Sequence, residues 1–332
     1  MLVSELPEWV ARVVAFVFGA TWGSFFNVAI YRWPLGQSVV SPPSHCPACR
    51  APIPPWRNVP ILGYLLLRGK AACCGARMSP RYLFVEVLSG VVALAIAERF
   101  VVRAEPHADL GDASIEALLW FVFAGGLIIA TFVDLEWMEI PDEVSIGGTA
   151  LALATATYRP GVPLEEVVLG AGGGFLVVQL LLVWSWERLT GERGMGEGDS
   201  KLAMYIGAFL GWRGALFALV AGSFQGIIAW ALARASGARL GPSGDHSHEE
   251  DVAARKTDAS TTAPAAEPPP EGAPAPEDRA QPATGAEPET GPDDDDPSHA
   301  RRIPFGPFLA LGAIEFLFFG ETIVDWYLSL FQ

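Results

Sequence analysis

The feature that most constrains this chain is the recurrence of long stretches without a charged residue. Four stretches lack Asp, Glu, Lys and Arg altogether: Val13–Tyr31, Leu118–Val133, Val167–Trp186 and Gly214–Ala233. About 20 mostly apolar residues suffice to cross a bilayer. Four further apolar segments are shorter or are interrupted by acids: Tyr82–Ala97, Val144–Tyr158, Leu202–Trp212 and Ile303–Leu330. We therefore predict an all-α polytopic membrane protein with about eight transmembrane helices in the lipid bilayer.

The composition supports this prediction once the uneven distribution of charge is considered. The formal net charge is −15, but residues 241–300 hold 15 Asp or Glu and only 3 Lys or Arg. The rest of the chain is therefore nearly neutral and strongly apolar, which argues against a single soluble globule. A nucleic-acid partner is not expected, because such proteins present a basic face. Four cysteines in 332 residues are too few for a secreted disulfide scaffold.

The distribution of Lys and Arg predicts the orientation. Residues 32–82 carry seven Lys or Arg and no Asp or Glu. Loops rich in Lys and Arg stay in the cytoplasm, so the N-terminus is expected outside. The chain begins Met1–Glu8 with two acids and no base, whereas a cleaved signal peptide needs a basic start.

Residues 241–300 form a low-complexity insert that is rich in Pro, Ala, Glu and Asp. Such a segment cannot bury enough apolar surface to offset its ordering entropy, so we expect it to be disordered and cytoplasmic. The acidic run Asp293–Asp296 is interpreted as a solvated spacer rather than a metal site. The predicted organisation follows in five parts: a first transmembrane helix at 1–32, a cysteine-containing loop domain at 33–82, a transmembrane core at 83–236, the insert at 237–302 and a last transmembrane helix at 303–332.

All four cysteines fall in the loop predicted to be cytoplasmic. Cys46 and Cys49 have the two-residue spacing that lets two thiolates bind one tetrahedral zinc ion. Cys73 and Cys74 are adjacent, which is a less natural arrangement, and His45 could replace one of them as a ligand. A structural zinc site is the interpretation we favour, because so small a loop has too little core to fold unaided. Four free thiols are the alternative.

Two acidic clusters lie at predicted cytoplasmic ends of membrane segments: Asp134–Asp142 and Gly194–Lys201. Both could be interfacial anchors. Asp134, however, directly follows an uncharged run, and Asp199 follows a Gly-x-Gly-x-Gly stretch whose backbone permits close approach. Two facing carboxylates can share one proton and perform acid–base chemistry on a peptide bond. The sequence lacks the H-E-x-x-H and G-x-S-x-G motifs of other hydrolases.

Five motifs in order resemble those of the prepilin peptidases, the membrane-embedded aspartic leader peptidases of type IV pilus and type II secretion systems. The motifs are Gly23–Arg32, Cys46–Glu86, Asp134–Asp142, Gly196–Leu202 and Ile303–Gly312. The resemblance covers nearly the whole chain except the insert. It implies a multi-pass protein of the bacterial inner membrane whose substrates are prepilin and pseudopilin precursors.

The resemblance also implies roles for individual residues. Asp134 and Asp199 match the catalytic pair of the family, and Asp142 and Lys201 match supporting positions. Cleavage would follow a Gly, just before the first residue of the mature pilin. Many family members then methylate the new amino group with S-adenosylmethionine, although nothing in the sequence marks a pocket for this cofactor.

The second cysteine pair departs from the family pattern. Cys74 matches the second cysteine of the usual pair, whereas Ala71 occupies the place of the first. Cys73 could substitute, or the site could have three cysteines or be absent. The rival interpretation of the whole chain is a non-catalytic scaffold or a transporter with a zinc clip. A transporter places ionisable residues near the middle of the membrane, whereas these acids lie at predicted helix ends.

Overall fold

The computed structural model describes residues 2–191, 196–236 and 304–329. Within these ranges the chain is helical and forms no strand beyond isolated bridges, which confirms the all-α prediction. The insert at 237–302, with its expected disorder and Asp293–Asp296, lies outside the described residues. The helices are α1 (Glu8–Arg32), α2 (Leu62–Leu66), α3 (Pro80–Ala97), α4 (Leu110–Trp137), α5 (Asp142–Ala154), α6 (Leu164–Leu176), α7 (Ser185–Thr190), α8 (Glu197–Ser236) and α9 (Gly306–Ser329).

Four helices in the described part are long and apolar enough to cross a membrane: Glu8–Arg32, Leu110–Trp137, Leu164–Thr190 and Glu197–Ser236. The third joins α6 to α7 through the π-helical segment Val177–Trp184. The eight-span count stays a prediction, because α3, α5 and α9 do not meet this criterion by themselves.

Helix α8 is interrupted within its 40 residues. Gly211 adopts φ 71° and ψ −179°, which is a conformation that only glycine adopts readily. The interruption divides α8 close to the boundary between the two apolar segments Leu202–Trp212 and Gly214–Ala233. Gly211 lies inside the first predicted segment, and α8 as a whole is one of the four membrane-length helices, so the division into two spans stays a prediction.

The centre of the bundle is packed around Tyr205 of α8. Its ring lies against Gly126 of α4 and Gly148 of α5, where an added Cβ would come within 2.5 Å and 2.2 Å of the tyrosine side chain. The Tyr205 hydroxyl donates a hydrogen bond to the carbonyl of Phe123 at 3.0 Å. These contacts fix α8 against α4, the two helices that carry the predicted catalytic aspartates.

Helices α6 and α8 touch through their backbones. A Cβ on Gly207 would lie 2.0 Å from the carbonyl oxygen of Gly170. Small residues permit this close packing, which is common between helices in membranes. The first part of α8 is therefore held by α6 as well as by α4 and α5.

Arg159 is completely buried between the end of α5 and the break in α8. Its guanidinium donates hydrogen bonds to the carbonyls of Ala152 in α5 and of Ala208 and Phe209 in α8. It also lies over the Phe209 ring, 4.7 Å from the centroid. Carbonyls at the end of a helix or just before a break lack partners within the helix, so a buried cation that satisfies them stabilises the end of α5 and the break in α8.

Every predicted site residue lies at one end of the bundle. There α4 ends, α5, α8 and α9 begin, and the loop of residues 33–79 joins α1 to α3. We call this end the aspartate face.

Candidate functional site

Asp134 and Asp199 lie together at the aspartate face. Asp134 is in the last turn of α4 and Asp199 is in the first turn of α8, and their exposed fractions are 6% and 8%. The two carboxylates are close enough to interact electrostatically. A buried pair of acids is costly to maintain in a membrane protein, and such pairs are usually functional.

The connection from α4 to α5 brings the two acids together. Met138, directly after α4, has φ 54° and reverses the chain. Ile140 then packs beside Gly198, where an added Cβ would lie 3.2 Å from the Ile140 Cβ. The small residue immediately before Asp199 therefore allows the segment that follows Asp134 to approach α8.

The first residue of α9 also contacts Asp134. The Oδ2 atom of Asp134 accepts a buried hydrogen bond of 2.9 Å from the backbone N–H of Gly306, the first residue of α9. The N-terminal N–H groups of a helix carry partial positive charge and attract carboxylates. An added Cβ on Gly306 would lie 2.6 Å from the same oxygen, so no side chain fits there without displacing the carboxylate.

The two residues predicted to support the site form an ion pair with each other. Lys201 Nζ lies 2.6 Å from Asp142 Oδ1, and both side chains are partly exposed. The pair joins the start of α5 to the first part of α8 at the rim of the aspartate face. Exposed ion pairs contribute little to stability, about 0–1 kcal/mol.

A further ion pair, between Arg81 and Glu136, links the start of α3 to the end of α4. Glu136 lies two residues after Asp134 in α4. The sequence alone did not single out either residue. Their pairing attaches the helix that follows the cysteine loop to the end of the helix that carries Asp134.

The four cysteines form one cluster. The Sγ atoms of Cys46, Cys49, Cys73 and Cys74 all lie within 4.8 Å of one another. In a tetrahedral zinc site with Zn–S bonds of about 2.3 Å, the sulfur atoms are about 3.8 Å apart. Cys73 and Cys74, although adjacent in sequence, both place their Sγ atoms in the cluster. His45 is not needed as a ligand, and its Nδ1 lies 3.2 Å from the Pro43 carbonyl oxygen. The four sulfurs therefore fit a tetrahedral metal ion.

The environment of the thiols favours a cation. Backbone N–H groups of Cys49 and Ala48 lower the pKa of the Cys46 thiol to about 7. Hydrogen bonds with Cys49 and Cys46 raise the pKa of Cys73 to about 12. Thiolates are the form that binds zinc, and a bound cation would stabilise several thiolates placed this close together.

Sequence reasoning located the acids and the cysteines but missed Gly306. The motif Ile303–Gly312 marks the region, but its contact spans 172 residues of sequence, so no local pattern reveals that its glycine donates to Asp134. Gly194 of the second acidic cluster lies outside the described residues.

Comparison with known proteins identifies the family. Residues 17–100 match the bacterial peptidase A24 N-terminal domain, and residues 121–231 match the type IV leader peptidase family. A relative from Myxococcus xanthus, named prepilin leader peptidase/N-methyltransferase, is 30% identical over 97% of this chain and 95% of its own length. The chain belongs to the type IV leader peptidase family, which confirms the resemblance drawn from the motifs.

Two other relatives carry the same name. The protein from Klebsiella pneumoniae is 35% identical over 64% of this chain and 92% of its own length. The protein from Neisseria gonorrhoeae is 33% identical over 65% of this chain and 80% of its own length. No solved structure matches the chain.

Proposed function

We propose that this chain is a membrane-embedded aspartic endopeptidase that removes the leader peptide of type IV prepilins and pseudopilins. The buried pair of Asp134 and Asp199 is the observation that carries the proposal. Family membership and the names of the relatives support prepilin processing. We place the aspartate face on the cytoplasmic side of the bacterial inner membrane, because residues 32–82 are strongly basic.

The proposed mechanism uses one proton shared by two carboxylates. The Gly306 N–H places the positive end of α9 next to Asp134, which favours Asp134 as the ionised member of the pair and hence as the acceptor of a proton from the attacking water. Asp199 then donates its proton to the carbonyl oxygen of the scissile bond, as in aspartic peptidases. When the tetrahedral intermediate collapses, the C–N bond breaks and the leaving amine takes up the proton held by Asp134. One hydroxyl proton of the intermediate returns to Asp199, which restores the singly protonated pair.

The cysteine cluster would hold the metal. Cys46, Cys49, Cys73 and Cys74 are the proposed ligands of a zinc ion that folds the loop between α1 and α3. Because Arg81, directly after this loop, pairs with Glu136, a folded loop steadies the end of α4 near Asp134.

Methylation of the new amino group is the second proposed activity, and it is based on the names of the relatives. S-adenosylmethionine supplies the methyl group for this reaction when it is bound. No residue among those described is assigned to that cofactor.

The direct test is co-expression of the full chain with a prepilin. Mass spectrometry of the pilin should show loss of the leader and, if methylation follows, the added mass of one methyl group. A pilin that keeps its leader in the presence of stably inserted protein would overturn the proposal.

A further inference from the structure

The loop between α1 and α3 exposes a group of large apolar side chains. Exposed fractions reach 75% for Trp56 and 80% for Leu66, and Val59, Leu62 and Leu65 are also exposed. These five residues, which we call the apolar patch, lie in and around the 3-10 turn Pro55–Arg57 and helix α2. Monomeric proteins rarely leave so many large apolar side chains in water without a partner.

The segment that carries the patch packs against the side of α3 at residue 61. The backbone N–H of Ile61, directly before α2, donates a hydrogen bond of 2.6 Å to Glu86. Glu86 is six residues into α3, or about 9 Å along the helix from Pro80 at 1.5 Å per residue. Glu86 also interacts with Ser24, eight residues before the end of α1. The chain at residue 61 has therefore descended alongside α1 and α3 to the level of their interior turns.

The surroundings of the patch are cationic. Residues 33–79 contain no Asp or Glu, and Arg57, Arg68 and Lys70 flank the patch in sequence and are exposed. Apolar side chains next to Lys and Arg are the pattern of segments that lie in a membrane interface, where the apolar part enters about 5–10 Å and the cations meet anionic headgroups.

The acidic insert of the same chain has the charge to bind the cations around the apolar patch, but it lacks the large apolar side chains to cover the patch. Residues 241–300 contain no Leu, Ile, Met, Phe, Tyr or Trp. Such a segment could neutralise Arg57 and Arg68, but it offers no large side chain to cover Trp56 and Leu66. Lipid satisfies both requirements, since it provides acyl chains below and phosphate groups above.

We propose that the apolar patch is a membrane-docking surface that inserts into the bilayer interface, with Arg57 and Arg68 on anionic phospholipid headgroups. The cysteine loop is then bound to the lipid surface as well as to α1 and α3. Its position is consequently fixed relative to the membrane in which the substrate is embedded.

Photo-crosslinking of the full chain in lipid nanodiscs tests this proposal. The variant Leu66→p-benzoylphenylalanine is reconstituted in phosphatidylethanolamine with phosphatidylglycerol, irradiated and examined by mass spectrometry. The control places the same residue at Ala72, which is exposed in the same loop but outside the patch. We expect lipid adducts at position 66 at a yield at least fivefold above that at position 72.

The crosslinked products show which molecule covers the apolar patch. Three results would each overturn the proposal. They are adducts between position 66 and peptides of residues 237–303, adducts with a co-reconstituted prepilin in place of lipid, and equal lipid yields at both positions.

A second comparison tests the headgroup contact. Raising the phosphatidylglycerol fraction should raise the yield, and this increase should be lost in Arg57→Gln/Arg68→Gln. A yield independent of phosphatidylglycerol would refute the role of the two arginines.

Discussion

The backbone N–H of Gly306 donates a buried hydrogen bond to the carboxylate of Asp134, so the first residue of α9 helps to build the site at the end of α4. Asp134 is thereby oriented by a backbone group. No substitution except proline removes a backbone donor, but an added side chain can push it away.

The first prediction uses this contact. Gly306→Ala should lower leader cleavage about tenfold or more, because its Cβ would lie 2.6 Å from Asp134 Oδ2 and displace a carboxylate that must be held precisely to react. The matched control is Gly147→Ala in α5, where an added Cβ meets nothing within 4 Å. Initial rates of prepilin cleavage by membranes with equal amounts of enzyme provide the measurement. Equal rates for the two variants would show that Gly306 has no positioning role.

The second prediction concerns the aspartate pair. Asp134→Asn and Asp199→Asn should each abolish cleavage, and the double variant should be no worse, because groups that act as a unit are not additive. Asp142→Asn is the control, since it removes an acid of the same motif from a partly exposed ion pair. It should keep cleavage within a few-fold of the wild type. Residual cleavage by a stably inserted Asp199→Asn would contradict the shared-proton mechanism.

The third prediction concerns the metal. Purified protein should contain about one zinc ion per chain. Cys73→Ser should lose it as completely as Cys46→Ser, because the structure brings all four sulfurs together. Ala71→Ser and His45→Ala should both retain it. Elemental analysis of each purified variant provides the comparison, and zinc in Cys73→Ser at the wild-type level would exclude Cys73 as a ligand.

The fourth prediction concerns stability. Arg159→Leu should reduce the free energy of unfolding by about 2 kcal/mol or more, because carbonyls at the end of α5 and just before the break in α8 would lose a charged donor in a buried place. Arg213→Leu removes an exposed arginine and should have little effect. Thermal unfolding in detergent would reveal the difference as a lower midpoint for Arg159→Leu alone.

The fifth prediction concerns the acidic insert. Deletion of residues 245–296 should leave cleavage within a few-fold of the wild type, because loop-closure entropy changes only slowly with loop length. The alternative is that the acids recruit a basic leader peptide. That alternative predicts a defect that grows at low ionic strength, where the Debye length reaches about 30 Å at 0.01 M salt. Cleavage assays of the deletion variant at low and high salt would distinguish the two.

Much of the fold could be predicted from the distribution of charge. The uncharged runs became α1, α4, α8 and the continuous segment from α6 to α7, because a stretch without charge long enough to span a bilayer has few alternatives to a helix. Leu202–Trp212 and Gly214–Ala233, predicted as two segments, both belong to α8, which is kinked at Gly211. The number of spans could not be settled in this way, since short helices such as α5 are apolar without being long.

The site was predictable only in part. Asp134 and Asp199 stand out because acids at the ends of apolar runs are unusual, and a C-x-x-C spacing is a local signal. The contact with Gly306 and the meeting of Cys73 with Cys49 arise from packing between distant segments. In the sequence, the adjacency of Cys73 and Cys74 seemed unfavourable for binding one metal ion. In the structure, a turn places both sulfurs in the cluster.

The position of Gly306 in the last helix has a consequence for biosynthesis. Helices α4 and α8, which carry both acids, emerge from the ribosome and enter the membrane before α9 is made. Asp134 lacks its backbone donor until residue 306, 172 positions later, has been synthesised and packed against it. A nascent chain that already holds both aspartates thus still lacks the contact that orients Asp134 in the finished structure.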